Sequence, residues 1–271
     1  MKENKWKGKK LYHYTGFPVL EGIMNKGELW LCNVKSMNDT KEMLHYMDCL
    51  EDSVCKKLSD EQKEKAHNLF DDQLKKLKDK PVYASSFSCL KDDAAQWERY
   101  ASNGEGICLT FNAEKLEKVC RGHAILQTVF YTKNANKSAH ASLIRDYVVT
   151  GKVNDIEWGS IEGIFENSWA SSSAYKHDSF KSEKEVRVVS LPFSIKYFLG
   201  EPRYKIEGWG IREYYILDLN KNEDIPIQDL IKEVTIGPRS KATVDTVQRY
   251  LKSLNSNFSK ISVSVSNCPL L

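Results

Sequence analysis

The sequence lacks the features by which several classes of protein are recognised. Its seven cysteines include no Cys-x-x-Cys pair, and its six histidines show no metal-ligand spacing such as His-Glu-x-x-His. We therefore expect no metal site. The odd, scattered cysteines favour a reducing compartment, which makes the cytoplasm the expected location. No long apolar run follows the basic N-terminal stretch, so we expect neither a secretory signal nor a membrane partner.

A strong charge of one sign is also missing. The 271 residues carry a formal charge of only +3, and 41% of them are hydrophobic. Such a composition buries a sizeable core and is not that of a disordered chain. The small positive charge permits contact with phosphates but falls short of that of a dedicated nucleic-acid binder.

Apolar periodicity predicts a mixed α and β order in a single domain over residues 1–271, with a helical insertion at about 41–80. Strands are expected near residues 11–15, 29–32, 82–88, 106–111, 124–131, 183–190, 214, 234 and 261. Helices are expected near residues 17–24, from about 41, and near 59–80, 94–101, 138–150, 154–169 and 244–254. Residues 171–175 read as a Ser-rich loop.

The segment over residues 179–190 carries the main indication of chemistry. Its valines favour a strand, whose alternation would place Glu183, Glu185 and Arg187 on one face. Two carboxylates in one space are costly unless solvent, a cation or a substrate compensates them. The pattern therefore predicts either an exposed charge ladder or a functional site.

Several short motifs follow one another in an order that resembles a known family. They are Leu11-Tyr12-His13, Leu29-Trp30-Leu31, Met37-Asn38-Asp39, Phe87-Ser88, Trp97 with Tyr100, Gly106, the Glu183 to Arg187 segment and Ile236-Gly237-Pro238. Over nearly the whole chain this order resembles a bacterial family catalogued as domain of unknown function 2971. That family is defined by sequence, so the resemblance by itself implies no activity.

The same residues are similar to the functional skeleton of the ADP-ribosyltransferase superfamily, whose members cleave NAD and transfer ADP-ribose. The similarity is to the branch with a His on a first strand, an aromatic residue on a second and a Glu on a late strand. It implies an α+β fold, with a mixed, mostly antiparallel split β-sheet core of the ADP-ribosyltransferase type and helical insertions. It also implies NAD as the ADP-ribose donor.

The resemblance assigns roles to individual residues of this chain. His13 would hold the nicotinamide ribose and carboxamide, and Trp30 would lie beside the nicotinamide. Glu185 matches the catalytic Glu, which stabilises the positive charge on the ribose as nicotinamide leaves. Glu183 resembles the first acidic residue of the Glu-x-Glu of many transferase toxins, and we expect it to orient or deprotonate the acceptor.

Further contacts follow from the same resemblance. The other side chains expected beside NAD are Tyr14, Asn38 and Ser88. The Ser-rich loop before the acidic strand, with Tyr175 and Phe180, is similar in position to the substrate-recognition turn of transferase toxins. Together with Arg187, these two aromatic residues are expected to bind the substrate that accepts ADP-ribose.

Most of these residues also have a structural alternative. His13 would then be a packed, hydrogen-bonded residue of the first strand, and Trp30 a core residue. The serines that include Ser88 would be strand-end caps, and Arg187 would only neutralise Glu185 across the strand face. The functional interpretation depends on the joint order of the residues and on no single one.

Two classes of function remain open. The first is an NAD-dependent ADP-ribosyltransferase, an intracellular bacterial toxin or anti-phage effector with a possible antitoxin, which modifies RNA or single-stranded DNA or, alternatively, protein. The second is a non-catalytic module on the same scaffold that binds a nucleotide, a nucleic acid or a partner. A concave pocket that holds both carboxylates with His13 and Trp30 would favour the enzyme, and carboxylates paired with lysines on an open face would favour the module.

Overall fold

An open, mostly antiparallel β-sheet with helices packed on it forms the centre of the molecule. The computed structural model describes residues 4–36, 40–131, 138–153, 159–190, 199–207 and 210–270. Asn38, expected beside NAD, lies outside these ranges. The mixed α and β class that the sequence predicts is confirmed.

Twelve strands and nine α-helices lie within the described ranges. The strands are β1 (Lys10–Thr15), β2 (Glu28–Asn33), β3 (Tyr83–Ser88), β4 (Ile107–Asn112), β5 (Ala124–Thr128), β6 (Phe130–Tyr131), β7 (Tyr175–Lys176), β8 (Glu185–Ser190), β9 (Arg203–Glu207), β10 (Gly210–Asp218), β11 (Ile231–Ile236) and β12 (Ser262–Val265). The helices are α1 (Phe17–Lys26), α2 (Thr40–Cys55), α3 (Asp60–Leu77), α4 (Ala94–Tyr100), α5 (Ala113–Cys120), α6 (Ala139–Thr150), α7 (Ile161–Ser172), α8 (Ile227–Leu230) and α9 (Val244–Leu254).

Strand β3 is the place where the sheet divides. The strand order is β12-β11-β4-β1-β3-β2-β10-β9, and β8 pairs with both β3 and β5. Because β8 pairs along the whole of one edge of β3, β1 and β2 share the other edge. There β2 pairs with Tyr83 and Ala84, whereas β1 pairs with Ser88. The two strands therefore leave β3 at opposite ends, and the gap between them faces Ser85 to Phe87.

Two hydrophobic clusters cover the two faces of this sheet. The larger contains Phe87, Val186 and Val188 from the sheet and buried residues of α1, α5 and α9. The second joins α2, α3, α6 and α7 to Ala84 and Val189. Since side chains alternate along a strand, Glu185 and Arg187 share the face of Val189. The acidic end of β8 thus lies on the same sheet face as the layer of helices α2, α3, α6 and α7.

Helices α2 and α3 occupy the position predicted for the helical insertion. Helix α3 begins at a capping box, in which Ser59 Oγ accepts from the Gln62 backbone N–H and the Gln62 side chain accepts from Ser59 N–H. Phe70 and Leu77 are buried on its inner face, and the remaining surface is charged. This amphipathic pattern is the one that the sequence predicts.

Some elements differ from the sequence predictions. Strand β8 begins at Glu185, so the expectation that Glu183 lies in this strand is wrong: Glu183 ends a 3-10 helix, Asp178–Glu183, and Lys184 has a φ of 43°. A non-glycine residue in the left-handed region interrupts an extended chain. The predicted loop at 171–175 is instead the end of α7 and the start of β7. Helix α5 and strand β9 were not predicted.

We predict that Gly106→Ala destabilises the fold by about 1–3 kcal/mol, because overpacking against backbone finds no flexible side chain to displace. A Cβ at this position would lie 2.2 Å from the Thr15 carbonyl oxygen. The matched control is Gly22→Ala in α1, whose Cβ would come no closer than 3.9 Å to the Glu28 carbonyl oxygen. The control is expected to gain up to about 1 kcal/mol. Denaturant unfolding measures both, and equal stability of the two variants would contradict the prediction.

Candidate active site at the divided sheet

A cavity of about 270 Å³ lies at the gap between β1 and β2. It brings together most of the site residues that the sequence predicts. Those that line it are His13, Tyr14, Trp30, Ser88, Glu183, Glu185 and Arg187. Tyr175 and Phe180 do not belong to the lining described for this cavity. The carboxylates and Trp30 line this cavity from one side of the sheet, and His13, whose ring packs against Phe87 of the opposite face, lines it at the gap between the strands.

Four buried charged side chains form one wall of the cavity. They are Lys176, Glu183, Glu185 and Arg187, whose side chains are each no more than 8% exposed, and we call them the buried quartet. Lys176 Nζ lies 2.9 Å from Glu183 Oε2 and 2.9 Å from Glu185 Oε2. Arg187 holds Glu185 with two bonds, of 2.6 Å from Nε to Oε1 and 3.2 Å from Nη2 to Oε2. Two acids and two bases make the quartet formally neutral.

The environment of Glu185 keeps it ionised. Burial by itself raises the pKa of this carboxyl, but the charges of Arg187 and Lys176 and the hydrogen bonds from Arg187 and Ser86 outweigh it, so that the pKa lies below the ordinary value. Removing charges from water costs free energy that close pairing only partly offsets. A cluster of this kind beside a cavity is a recognised indication of a functional site.

The turn before β8 brings Glu183 into the same space as Glu185. Ser88 Oγ donates to the Glu183 carbonyl oxygen at 2.8 Å and accepts from Leu90 N–H at 3.1 Å. Both of these contacts hold the turn. Ser88, expected beside NAD, is thus a positioning residue whose hydroxyl is engaged by the fold, which is the strand-end alternative.

Helix α4 supplies two partners of Glu183 that the sequence reasoning missed. Arg99 Nη1 lies 3.0 Å from Glu183 Oε1, and the Tyr100 hydroxyl donates to the same oxygen at 3.2 Å. Burial, and next the charge of Glu183, raise the pKa of Tyr100 to about 12. The sequence motif that contains Trp97 and Tyr100 is the signal that could have indicated Tyr100 as a site residue. Trp97 is fully buried, whereas Tyr100 is 45% exposed at the cavity.

Lys176 was also missed, although it contacts both carboxylates. It lies in β7, a strand of two residues, which is too short to show a period.

Tyr175, next to Lys176 in β7, stacks between Tyr46 and Phe130, with ring centroids 3.9 and 5.4 Å away. Tyr175 therefore packs against the helical layer. Phe180 is 37% exposed and lies nearer the quartet, with Lys176 Nζ 5.3 Å from its ring centroid.

Arg187 lines the cavity and is held by the fold in the way that its structural alternative describes. It is 2% exposed and pairs with Glu185. Its Nη1 also donates to the Ser173 carbonyl oxygen. An arginine held by these contacts fixes the orientation of the Glu185 carboxylate, because its planar donors match both carboxylate oxygens.

His13 reaches into the gap beside β3. Its Nδ1 lies 2.8 Å from the Ser86 carbonyl oxygen, and since a carbonyl only accepts, Nδ1 carries the hydrogen. Burial lowers the pKa of His13, although the bond to Ser86 acts in the opposite direction. The ring is therefore neutral at neutral pH, and its Nε2 is an acceptor. Its ring centroid lies 5.1 Å from that of Phe87.

The aromatic residues on β1 and β2 differ in what they present to the cavity. The Tyr14 hydroxyl donates to the Leu90 carbonyl oxygen at 2.9 Å and accepts from Asp93 N–H at 3.1 Å, so its polar end is engaged within the fold. Trp30 is half-buried and stacks on Tyr214, with ring centroids 4.2 Å apart and an angle of 22° between the planes. Trp30 thus offers a flat apolar wall.

This stretch of the chain also matches a known family model. Residues 96–188 match the family described as Protein of unknown function (DUF2971). The match runs from α4 through most of β8, so it contains the quartet together with Arg99 and Tyr100. It supports the DUF2971 family that the sequence motifs indicate, and its description names no activity. No curated protein and no solved structure matches the chain.

Two absences hold over the residues that the structure describes. Among the described residues, no three His, Cys, Asp or Glu side chains gather in a way that would hold a metal ion. Over the same ranges, no helix has the length and apolar character needed to cross a membrane.

We predict that Lys176→Met destabilises the protein by about 3–5 kcal/mol, because it removes the buried cation that contacts both carboxylates and leaves Glu183 with Arg99, whose side chain is 54% exposed. The control is Lys91→Met, which removes an ion pair of the same 2.9 Å length to Glu233, but with the lysine side chain 51% exposed. Its expected cost is below about 1 kcal/mol. Adding Glu183→Gln to Lys176→Met restores the charge balance and should recover part of the loss in urea unfolding. Similar losses for the two lysine variants would contradict a buried quartet.

The low pKa of Glu185 sets a pH dependence of stability. Because the folded-state pKa lies below the ordinary value of 4.5, the ionised group stabilises the fold above that value, and this contribution is lost as the pH falls through the folded-state pKa. We expect wild type to lose stability on acidification more steeply than Glu185→Gln. Glu98→Gln, on the exposed side of α4, is the control and should follow wild type. Parallel curves for wild type and Glu185→Gln would refute this.

Proposed function

We propose that the chain is an NAD-dependent ADP-ribosyltransferase whose reaction takes place in this cavity. The observation that carries the proposal is the convergence of His13, Trp30, Glu183 and Glu185, from separate segments, at the gap between β1 and β2. Each has the residue type that the resemblance to the superfamily requires for its role. The division of the sheet at β3 supports a core of the ADP-ribosyltransferase type in the same way.

The cavity fits one end of the donor. At about 270 Å³ it lies just below the usual range for drug-sized ligands, so it suits the nicotinamide and its ribose rather than the whole dinucleotide. Trp30 offers a flat surface for the nicotinamide ring. The Nε2 of the neutral His13 is an acceptor for a ribose hydroxyl. The carboxylates favour the positive charge of the nicotinamide ring.

The residues divide the chemistry between them. The bond from the nicotinamide nitrogen to ribose C1′ breaks with its electron pair on nicotinamide, and the acceptor bonds to C1′ and releases a proton. Glu185, held ionised, stabilises the positive charge that grows on the ribose. Glu183 receives the acceptor's proton. Lys176 contacts both carboxylates. Its displacement would therefore leave Glu185 to stabilise the ribose cation and Glu183 to accept the proton.

A second function is favoured by one specific observation. Glu185 is paired with Lys176 and, through two bonds, with Arg187, so most of its charge is compensated. A carboxylate in that state stabilises a ribosyl cation weakly. This favours a module that binds a nucleotide, a nucleic acid or a partner at the same cavity without cleaving NAD.

The cellular role follows from the first proposal. Glu183 and Glu185 match the Glu-x-Glu of transferase toxins, which supports a toxin or anti-phage effector acting in the bacterial cytoplasm. Such an activity consumes NAD in the cell that makes it. An antitoxin partner would therefore be needed to restrain it.

The test is the release of nicotinamide from NAD by purified protein, together with transfer of adenine-labelled ADP-ribose to a cell lysate. Glu185→Gln is expected to lower the rate by about 10²–10³-fold, and His13→Ala to lower it as well. Glu98→Gln is the matched control and should behave as wild type. Circular dichroism verifies that each variant is folded.

The outcomes separate the two functions. Calorimetric titration measures NAD binding independently of turnover. Binding with no release of nicotinamide by wild type would overturn the enzyme and favour the module. Release that is equal in wild type and Glu185→Gln would refute the assigned site. Nuclease or protease digestion of labelled lysate then identifies the class of acceptor.

A further inference from the structure

One face of the sheet continues from the cavity to the edge strand β9. In β10, Tyr214 lies directly opposite Cys32 of β2 and Arg203 of β9, and Arg212 lies opposite Lys205. Residues directly opposite each other in an antiparallel pair point to the same side. Trp30, Arg203, Lys205, Arg212 and Tyr214 therefore share one face, which we call the cationic face. Trp30 and Arg212 also line the cavity, so the two are continuous.

The cationic face combines stacked rings with positive charges. Trp30 and Tyr214 lie almost parallel, with centroids 4.2 Å apart. Lys205 Nζ lies 5.3 Å from the centroid of the Trp30 ring. A flat aromatic ring beside cations is the combination that holds an unpaired base and its phosphate, and Trp30 is the ring that this face presents.

The pairing of Arg203 leaves its charge accessible. Its side chain is 58% exposed, and its Nη1 lies 3.3 Å from Glu28 Oε1. A surface ion pair of this kind contributes little free energy, so a phosphate can replace the carboxylate. Arg203 and Lys205 are two residues apart on β9 and therefore form a row along its edge. Arg212 extends this row toward the cavity.

We propose that the cationic face binds single-stranded nucleic acid and delivers it to the cavity as the acceptor. Tyr214 is only 7% exposed, so Trp30, which stacks on it, is the ring of this pair that a base can contact. Unpaired bases expose ring faces for such stacking, whereas the bases of a duplex are already stacked on each other. The three cations match phosphates in charge. That the bound nucleic acid is the acceptor rests on the proposed transferase function. That the cationic face binds it does not depend on that function.

The experiment measures binding without NAD. Fluorescence anisotropy follows a labelled single-stranded RNA of about 12 nucleotides, the matched DNA and the matched duplex, at several salt concentrations. The variant is Arg203→Ala with Lys205→Ala. The control, Lys115→Ala with Lys232→Ala, removes the same charge elsewhere, where both lysines pair with Asp229.

We expect single strands to bind at least about tenfold more tightly than the duplex. The Arg203 and Lys205 variant should lose about tenfold or more in affinity, with the slope of log K against log salt smaller by about 1.4. The control should stay within about twofold of wild type. Trp30→Ala should also weaken binding, but with an unchanged salt slope.

The proposal is overturned if wild type binds no single strand, binds the duplex equally well, or loses no more affinity in the site variant than in the control. Nicotinamide release is measured on the same preparations. Release with transfer to protein, but no strand binding, would remove this proposal and leave the transferase standing. Strand binding that depends on Arg203 and Lys205, without any release, would keep the surface and remove the transferase.

Discussion

The contact of Lys176 Nζ with both Glu183 and Glu185 is the interaction on which the site depends. Two carboxylates this close would repel each other, and burial would favour their protonated forms. Lys176 and Arg187 bring the formal charge of the quartet to zero, and both contact Glu185. Arg99 of α4 adds a further, half-exposed cation beside Glu183, and the DUF2971 match over residues 96–188 contains all of these side chains.

This neutrality also determines how the cavity would react. The two carboxylates are held in ion pairs with Lys176, and a cationic ligand in the place of Lys176 would interact with their charge instead. In the proposed reaction, the positive nicotinamide ring would be that ligand. His13, neutral and bonded to Ser86, adds an acceptor without adding charge. The same wall therefore suits either a reaction gated by displacement of Lys176 or tight binding without turnover.

Alternating and helical patterns predict much of the fold, because burial on one face leaves a period in the sequence. This holds for β1, β2, β3 and the amphipathic α3. The sequence pattern does not predict strand β9, because its apolar residues are exposed and no buried face leaves a period. Ile206, for example, is 84% exposed. In the site, the Lys176 contact depends on a strand of two residues. The position of Glu183 depends on the left-handed Lys184, which no local pattern indicates.

The central claim is that the cavity beside the quartet receives the nicotinamide end of NAD. The most direct test is a crystal structure of the protein with a non-cleavable NAD analogue. We predict the nicotinamide ring against Trp30, a ribose hydroxyl at His13 Nε2, and Lys176 moved away from Glu185. The claim would be contradicted if the analogue bound elsewhere. It would also be contradicted if, at a saturating concentration of analogue, the cavity held none of it and the quartet was unchanged.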